Sequence, residues 1–416
     1  MSPWSRWVGV GAALGIISAL VPVVRGNVAV DTPAGPLARL QKKVFSKPVD
    51  PNLAGLDLLN LDIRPERVLA QLPDGRQAEL TVDSKLQRTA LAEMSRFKMP
   101  ESGTILMDVR TGRILIYASY VNSGKPFDVN VRAEAPAASI FKVITGAALI
   151  ERSGLNASTR QCYHGGRSRI LAKELLEDPG RDKWCASLGE AMGRSINVVF
   201  GRLSHQHLKP EDLTEMGGAF GFGAPVPFAV PNQAPQIEMP TEPLEFARAS
   251  AGFWHTRLSP LAAVGIAQTV ASRGVTLQPR IVARVLSGSE ETLWEDDGKP
   301  KVLRRAVKPA TAAELAQMME FTVSGGSAHG SFFDQHGHPY LPGIAVAGKT
   351  GTLTDHTEDR HYTWFIGFAP AENPEVAVAV LVVNTPSWKV KAPTLARDAL
   401  RAYFAQAGRP GVSSPI

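Results

Sequence analysis

Cysteine is scarce in this chain: Cys162 and Cys185 are the two among 416 residues, which leaves room for one disulfide at most. Aromatic residues contribute 7%, and nowhere do they interleave with a dense Lys/Arg stripe. Nucleic acid is therefore excluded as a partner, although the net charge is +6. That excess reads as a general surface surplus, compatible with an anionic lipid or polymer nearby. Histidines His329, His336, His338, His356 and His361 match no metal-ligand spacing and read as loop residues. A metal site built on Cys162, His164 and Cys185 would lack a fourth ligand. No metal or cofactor is expected, and no internal repeat is evident.

Long apolar runs are missing too, with one exception. From Trp7 to Val24 the chain carries no charge, with Arg6 before and Arg25 after. The run is just long enough to span a bilayer. We expect a retained anchor, with a signal peptide cleaved near Val28-Ala29-Val30 as the alternative. The balanced arginines give no orientation. No second such run follows, so the remainder is expected outside the cytoplasm. There Cys162 and Cys185 would form one disulfide, the alternative being two free thiols.

The expected division is an anchor or signal over 1–25, a linker and small membrane-proximal module over 26–79, a main domain over 80–405 and a tail over 406–416. Prolines at 33, 48, 51 and 73 break the second segment. Helical spacing predicts a helix over Ser84 to Phe97, capped by Asp83 or Ser84. Two apolar runs, Thr104 to Val109 and Arg113 to Ala118, flank a glycine turn and predict a hairpin. Residues 151–260 read as helical and loop-rich, with one helix from Leu188 to Leu203. Further helices are predicted from Ser259-Pro260 to Ala271, Thr311 to Val323 and Thr394 to Ala405. The Gly-rich stretch Ser324 to Ser331 reads as a flexible loop. Buried strands are predicted at Thr363 to Phe368 and Val376 to Val383, beside a strand carrying Lys349. Strands at both ends with helices between imply an α+β fold: an antiparallel sheet flanked by helices, plus an all-helical subdomain.

The chemistry centres on Ser139-Ile140-Phe141-Lys142, with apolar residues at Ile140, Val143, Ile144, Ala147 and Ala148. A helix beginning near Ser139 puts Lys142 one turn on, on the same face. A serine needs a base within hydrogen-bond reach to become a nucleophile, and lysine serves once burial or a second cation lowers its pKa. A second copy of the pattern, Ser95 to Lys98, has its serine off the apolar stripe and reads as a solvated helix face. Ser139 differs in having company. Ser195-Ile196-Asn197 and Lys349-Thr350-Gly351 follow in that order.

The ordered trio Ser-x-x-Lys, Ser-x-Asn, Lys-Thr-Gly resembles that of penicillin-binding proteins and serine β-lactamases. The likeness extends over about residues 80 to 405, through Leu80-Thr81-Val82-Asp83, Gly103 to Ser119 and Trp364-Phe365-Ile366-Gly367. It implies a transpeptidase domain, with a five-stranded antiparallel sheet and a helical subdomain enclosing a cleft. By this resemblance Ser139 would attack the D-Ala-D-Ala carbonyl of a peptidoglycan stem peptide, and Lys142 would take its proton. Ser195 would relay a proton to the leaving group, and Asn197 would hold Lys142 and the peptide amide. Lys349 would attract the terminal carboxylate and help keep Lys142 neutral. Thr350 and Thr352 would grip that carboxylate, and Gly351 would leave room for the peptide. The N–H groups of Ser139 and Thr352 would form an oxyanion hole.

The implied protein is a penicillin-sensitive, monofunctional, class B-like transpeptidase without a glycosyltransferase domain. Its implied partners are stem peptides, β-lactams, the membrane through the N-terminal segment, and a membrane glycan polymerase. A D,D-carboxypeptidase or a β-lactamase is the alternative chemistry. A β-lactam sensor or scaffold without turnover is the alternative of another class. Two stretches depart from the family pattern. Ala137-Ala138 stand where Pro-Gly is frequent, and Ala251-Gly252-Phe253-Trp254-His255 where a Gly-Gln-Gly turn is frequent.

Overall fold

A computed structural model describes residues 51–385, 387 and 389–415. The expected anchor over 7–24 lies outside the described residues. Among those described, no helix is long and apolar enough to cross a membrane.

The organising element is a five-stranded sheet, in the order Ala347–Asp355, Arg360–Ala369, Val376–Asn384, Glu101–Asp108, Ile114–Val121. All neighbours are antiparallel. Val376–Asn384 is buried at every position, because successive side chains enter two different cores. Val376, Val378, Val380 and Val382 join the core beneath helices Ser84–Phe97 and Ala392–Gln406. Ala377, Ala379, Leu381 and Val383 join the core that contains helix Pro260–Ala271. A strand covered on both faces reads as an unbroken apolar run, and that is how this one appears in sequence. The flanking helices start where cap chemistry places them. Asp83 accepts from the N–H groups of Lys85 and Leu86, and Ser259 accepts from that of Ala262.

In chain order, between the first two strands of the sheet and its last three, comes the helical part, comprising Lys142–Ser153, Leu188–Arg194, Asn197–His207, Pro210–Ala219, Pro243–Ser250 and Pro309–Ser324. The α+β arrangement is thus the expected one. One local expectation fails. The single helix predicted from Leu188 to Leu203 is two helices, broken at Ser195, whose φ is +57°. The Ser195 N–H closes the first helix onto carbonyls of Ala191 and Met192, and the second begins at Asn197. Apolar spacing runs through the break because both helices bury the same side, with Ala191 and Met192 before it and Val198 to Phe200 after. Periodicity alone therefore hides the kink.

A second sheet joins distant parts of the chain. Asp62–Ile63, Val68–Gln71 and Gln77–Leu80 line up with Val282–Leu286 and Thr292–Glu295. The expected boundary at residue 80 falls at the end of the third of these strands.

Candidate active site

Ser139 sits in a 3-10 turn, Ala138–Phe141, that runs directly into helix Lys142–Ser153. The turn puts the half-buried Ser139 hydroxyl at the start of sixteen continuous helical residues, beside unpaired N–H groups. Two close approaches hold it there. Ala138 has φ +50°, the left-handed region that disfavours a side chain, so the frequent glycine of the family has a conformational reason. Gly252, with φ +93°, lies so near that a Cβ would fall 2.2 Å from the Ala138 oxygen and 3.0 Å from the Ser139 nitrogen. Gly252→Ala is accordingly expected to displace the turn and to lower the acylation rate by more than about tenfold, measurable as slower penicillin labelling. Gly351 is likewise pressed against the turn, since a Cβ there would lie 3.3 Å from the Ala137 oxygen. Its missing side chain lets the edge strand Ala347–Asp355 approach Ser139 from the side.

Lys142 is wholly buried. Its Nζ lies 2.8 Å from Ser139 Oγ, 2.7 Å from Asn197 Oδ1 and 2.6 Å from the Ala251 oxygen. The last two partners are carbonyl oxygens and can only accept. A neutral amine has two N–H donors and one lone pair, so the carbonyls take both donors and leave the lone pair facing the serine hydroxyl. The Asn197 amide cannot flip to spoil this, because its Nδ2 donates to the carbonyls of Arg167 and Ser168. Burial pushes the Lys142 ammonium well below the ordinary lysine range, and the neighbouring Lys349 lowers it further.

Lys349 is also wholly buried. Its Nζ donates to Ser195 Oγ at 3.0 Å and to the Thr350 oxygen at 3.0 Å. Burial brings its pKa down to about 7. Among the described residues no carboxylate pairs with either lysine. The break at Ser195 now has a local meaning: it turns the Ser195 hydroxyl to Lys349 while Asn197, two residues on, reaches Lys142. Thr350 is half-buried and Thr352 exposed on the edge strand. The structure thus brings two bonded groups side by side, Ser139 with Lys142 and Asn197, and Lys349 with Ser195 and Thr350, close enough for the two lysines to interact, with Gly351 against the Ser139 turn.

Of what supports this cluster, sequence reading had the disulfide and overlooked the rest. Cys162 and Cys185 face each other across the hairpin Arg160–Tyr163 and Trp184–Ser187, and their sulfurs are bonded. Below it lies Arg202, fully buried on the helix that carries Asn197. Its guanidinium donates to the carbonyls of Cys162, Glu174 and Leu176 and to Asp182. Asp182 also bonds His164 at 2.6 Å, and the Arg202 guanidinium holds its carboxyl well below the usual carboxylate range. An arginine among Val199, Phe200 and Leu203 was the available signal, since a lone charge on an apolar helix face must be compensated. The Ala251 carbonyl left none, being backbone. Replacing both cysteines by serine is expected to cost about 3 kcal/mol, read by urea unfolding.

The family model described as the penicillin binding protein transpeptidase domain matches residues 102–401. This chain belongs to that family. The peptidoglycan D,D-transpeptidase PbpA of Mycobacterium tuberculosis is 32% identical over 259 residues, 60% of this chain and 50% of that protein. Stage V sporulation protein D of Bacillus subtilis is 26% identical over 335 residues, 75% of this chain and 50% of that protein. The chain spans about half the length of these curated relatives. The imipenem acyl-enzyme complex of penicillin-binding protein A from M. tuberculosis shares the fold. It has a TM-score of 0.65 and 24% identity, covering 79% of each chain.

The stretch Ala251 to His255, which departs from the family's Gly-Gln-Gly turn, meets the Ser139 turn at Gly252. Trp254 and His255 both have positive φ. They line a cavity of about 280 Å³ with Glu134, Arg257, Asp355 and Glu358.

Proposed function

We propose that the chain is a serine D,D-transpeptidase that cross-links peptidoglycan stem peptides through an acyl-enzyme on Ser139. The observation that carries this reading is the Lys142 amine, buried, paired with no carboxylate among the described residues and 2.8 Å from the Ser139 hydroxyl. Ser139 attacks the penultimate D-alanine carbonyl while its proton passes to Lys142. The N–H groups of Ser139 and Thr352 receive the oxyanion. Ser195, charged with a proton through Lys349, protonates the departing D-alanine. Asn197 keeps the Lys142 lone pair aimed and receives the substrate amide. Lys349, Thr350 and Thr352 hold the terminal carboxylate. An acceptor amine then takes the acyl group. Penicillins mimic the donor and remain on Ser139; for the M. tuberculosis relative a penicillin G acyl-enzyme complex is named.

Hydrolytic destruction of penicillin requires a base poised on a water. Among the described residues no carboxylate bonds to Ser139, Lys142, Ser195 or Lys349, which favours the transferase over a β-lactamase. The chain acts outside the cytoplasmic membrane, tethered through residues 7–24, beside a glycan polymerase. The test is product analysis with a D-Ala-D-Ala stem peptide and an amine acceptor. Cross-linked dimers support the reading, trimmed monomers alone indicate a carboxypeptidase, and acylation without product release indicates a sensor.

A pH profile follows from the two lysines. Lys142 must be neutral to accept a proton, so protonation sets the acidic limb. Lys349 must be cationic to attract a carboxylate, and its charge disappears as pH rises through about 7. For the free enzyme, kcat/KM is expected to fall on the alkaline side with a midpoint near that value.

A further inference from the structure

The Gly-rich segment after helix Pro309–Ser324 is not the loose loop its composition suggests. Its backbone is fastened to the helical part, with the Ser327 N–H donating to the Gly193 oxygen at 2.9 Å and the Ala328 N–H to the Thr322 oxygen at 2.9 Å. Gly326 permits this, because a Cβ there would fall 2.3 Å from the Gly193 oxygen. Phe321 packs under the same glycine pair, where a Cβ on Gly193 would lie 2.4 Å from its ring. Gly193 stands two residues before Ser195. The other side of the segment meets the edge strand, where Ser327 Oγ lies 2.6 Å from Thr350 Oγ1. Ser327 is therefore a bridge across the cleft, from the turn that carries Ser195 to the strand that carries Lys349.

We infer that Ser327 is a specificity-determining residue that completes the site for the substrate's terminal carboxylate. The inference rests on the transpeptidase reading of the site. The two hydroxyls share one hydrogen between them. When Ser327 donates to Thr350, the Thr350 hydrogen is left free for an incoming anion. A hydroxyl that is itself accepting a hydrogen bond is a stronger donor, and a charged acceptor gains most from it. Lys349 donates to the Thr350 carbonyl, which puts the cation beside the residue that carries the hydroxyl pair. Ser327 is exposed, so the pair is open to a ligand entering from solvent. The bond that fastens its backbone, from the Ser327 N–H to the Gly193 oxygen, does not involve the side chain.

The test compares acylation by benzylpenicillin, which carries a free carboxylate, with acylation by its methyl ester, which does not. Second-order rates are measured for the wild type, Ser327→Ala and Ser327→Thr. Ser327→Ala is expected to lower the acid-to-ester ratio of rates about tenfold, as removal of a hydrogen bond that serves a charged group does. Ser327→Thr, which keeps the hydroxyl, is expected to restore the ratio. A ratio unchanged in Ser327→Ala overturns the inference, whichever way the individual rates move, because a merely structural loop affects both ligands alike. A wild-type protein acylated by neither ligand overturns the acyl-enzyme reading itself and this inference with it.

Discussion

Ser139→Ala is expected to abolish covalent labelling by a fluorescent penicillin, a loss on the order of 10⁴-fold or more in acylation. No other hydroxyl can substitute. The Ser195 hydroxyl accepts from Lys349 and is turned towards the strand. The Ser327 and Thr350 hydroxyls are bonded to each other. Among the described residues, only Ser139 faces an amine whose remaining partners leave it a free lone pair. The informative control is Ser95→Ala, which alters the other Ser-x-x-Lys pattern. Ser95 is exposed near the end of helix Ser84–Phe97, and Lys98 is its exposed left-handed cap. Labelling is expected to persist in that variant. Persistence in Ser139→Ala would overturn the assignment of the nucleophile.

Lys142→Met should lower the acylation rate by about 10²–10⁴-fold, the usual cost of removing a general base. Methionine keeps the apolar stem and removes the amine that is hydrogen-bonded to the Ser139 hydroxyl. The substitution also strands two acceptors, the Asn197 amide oxygen and the Ala251 carbonyl. Each stranded group costs about 1–3 kcal/mol if no water reaches it. Activity and stability must therefore be read together. Thermal unfolding of the variant tells whether the cleft persists, and the surviving labelling rate is then measured across pH. The wild type is expected to lose acylation towards acid as Lys142 gains its proton. Labelling in Lys142→Met should be slow and lack that limb, since the group responsible is gone. An unchanged acidic limb in the variant would assign it to another residue.

Much of this architecture is legible in the order of residues. Helix Pro260–Ala271 announces itself by Ser259-Pro260 and a run of apolar residues. The hairpin of Glu101–Asp108 with Ile114–Val121 follows from two apolar stretches around a glycine turn. These signals are local, because capping and side-chain alternation depend on near neighbours in the chain. The break at Ser195 is not legible, because helical periodicity continues on both sides of it. The tethered loop at Ser327 is not either. Its glycines look like freedom in sequence, whereas in the fold they are what allows the backbone to reach Gly193.

By itself, the sequence determined which chemical groups are present and in what order: the Ser139 hydroxyl with an amine a turn away, and later a serine, an amide and a second amine. Those depend on covalent neighbours and on short-range periodicity, and both are written along the chain. Only the tertiary structure decided that Lys142 has lost its water and its counter-ion, that the Ala251 carbonyl and the Asn197 amide occupy its donors, and that Arg202 holds the loop behind them. Desolvation and lone-pair direction come from groups brought together across more than fifty residues of chain. The identity of one residue carries no record of them.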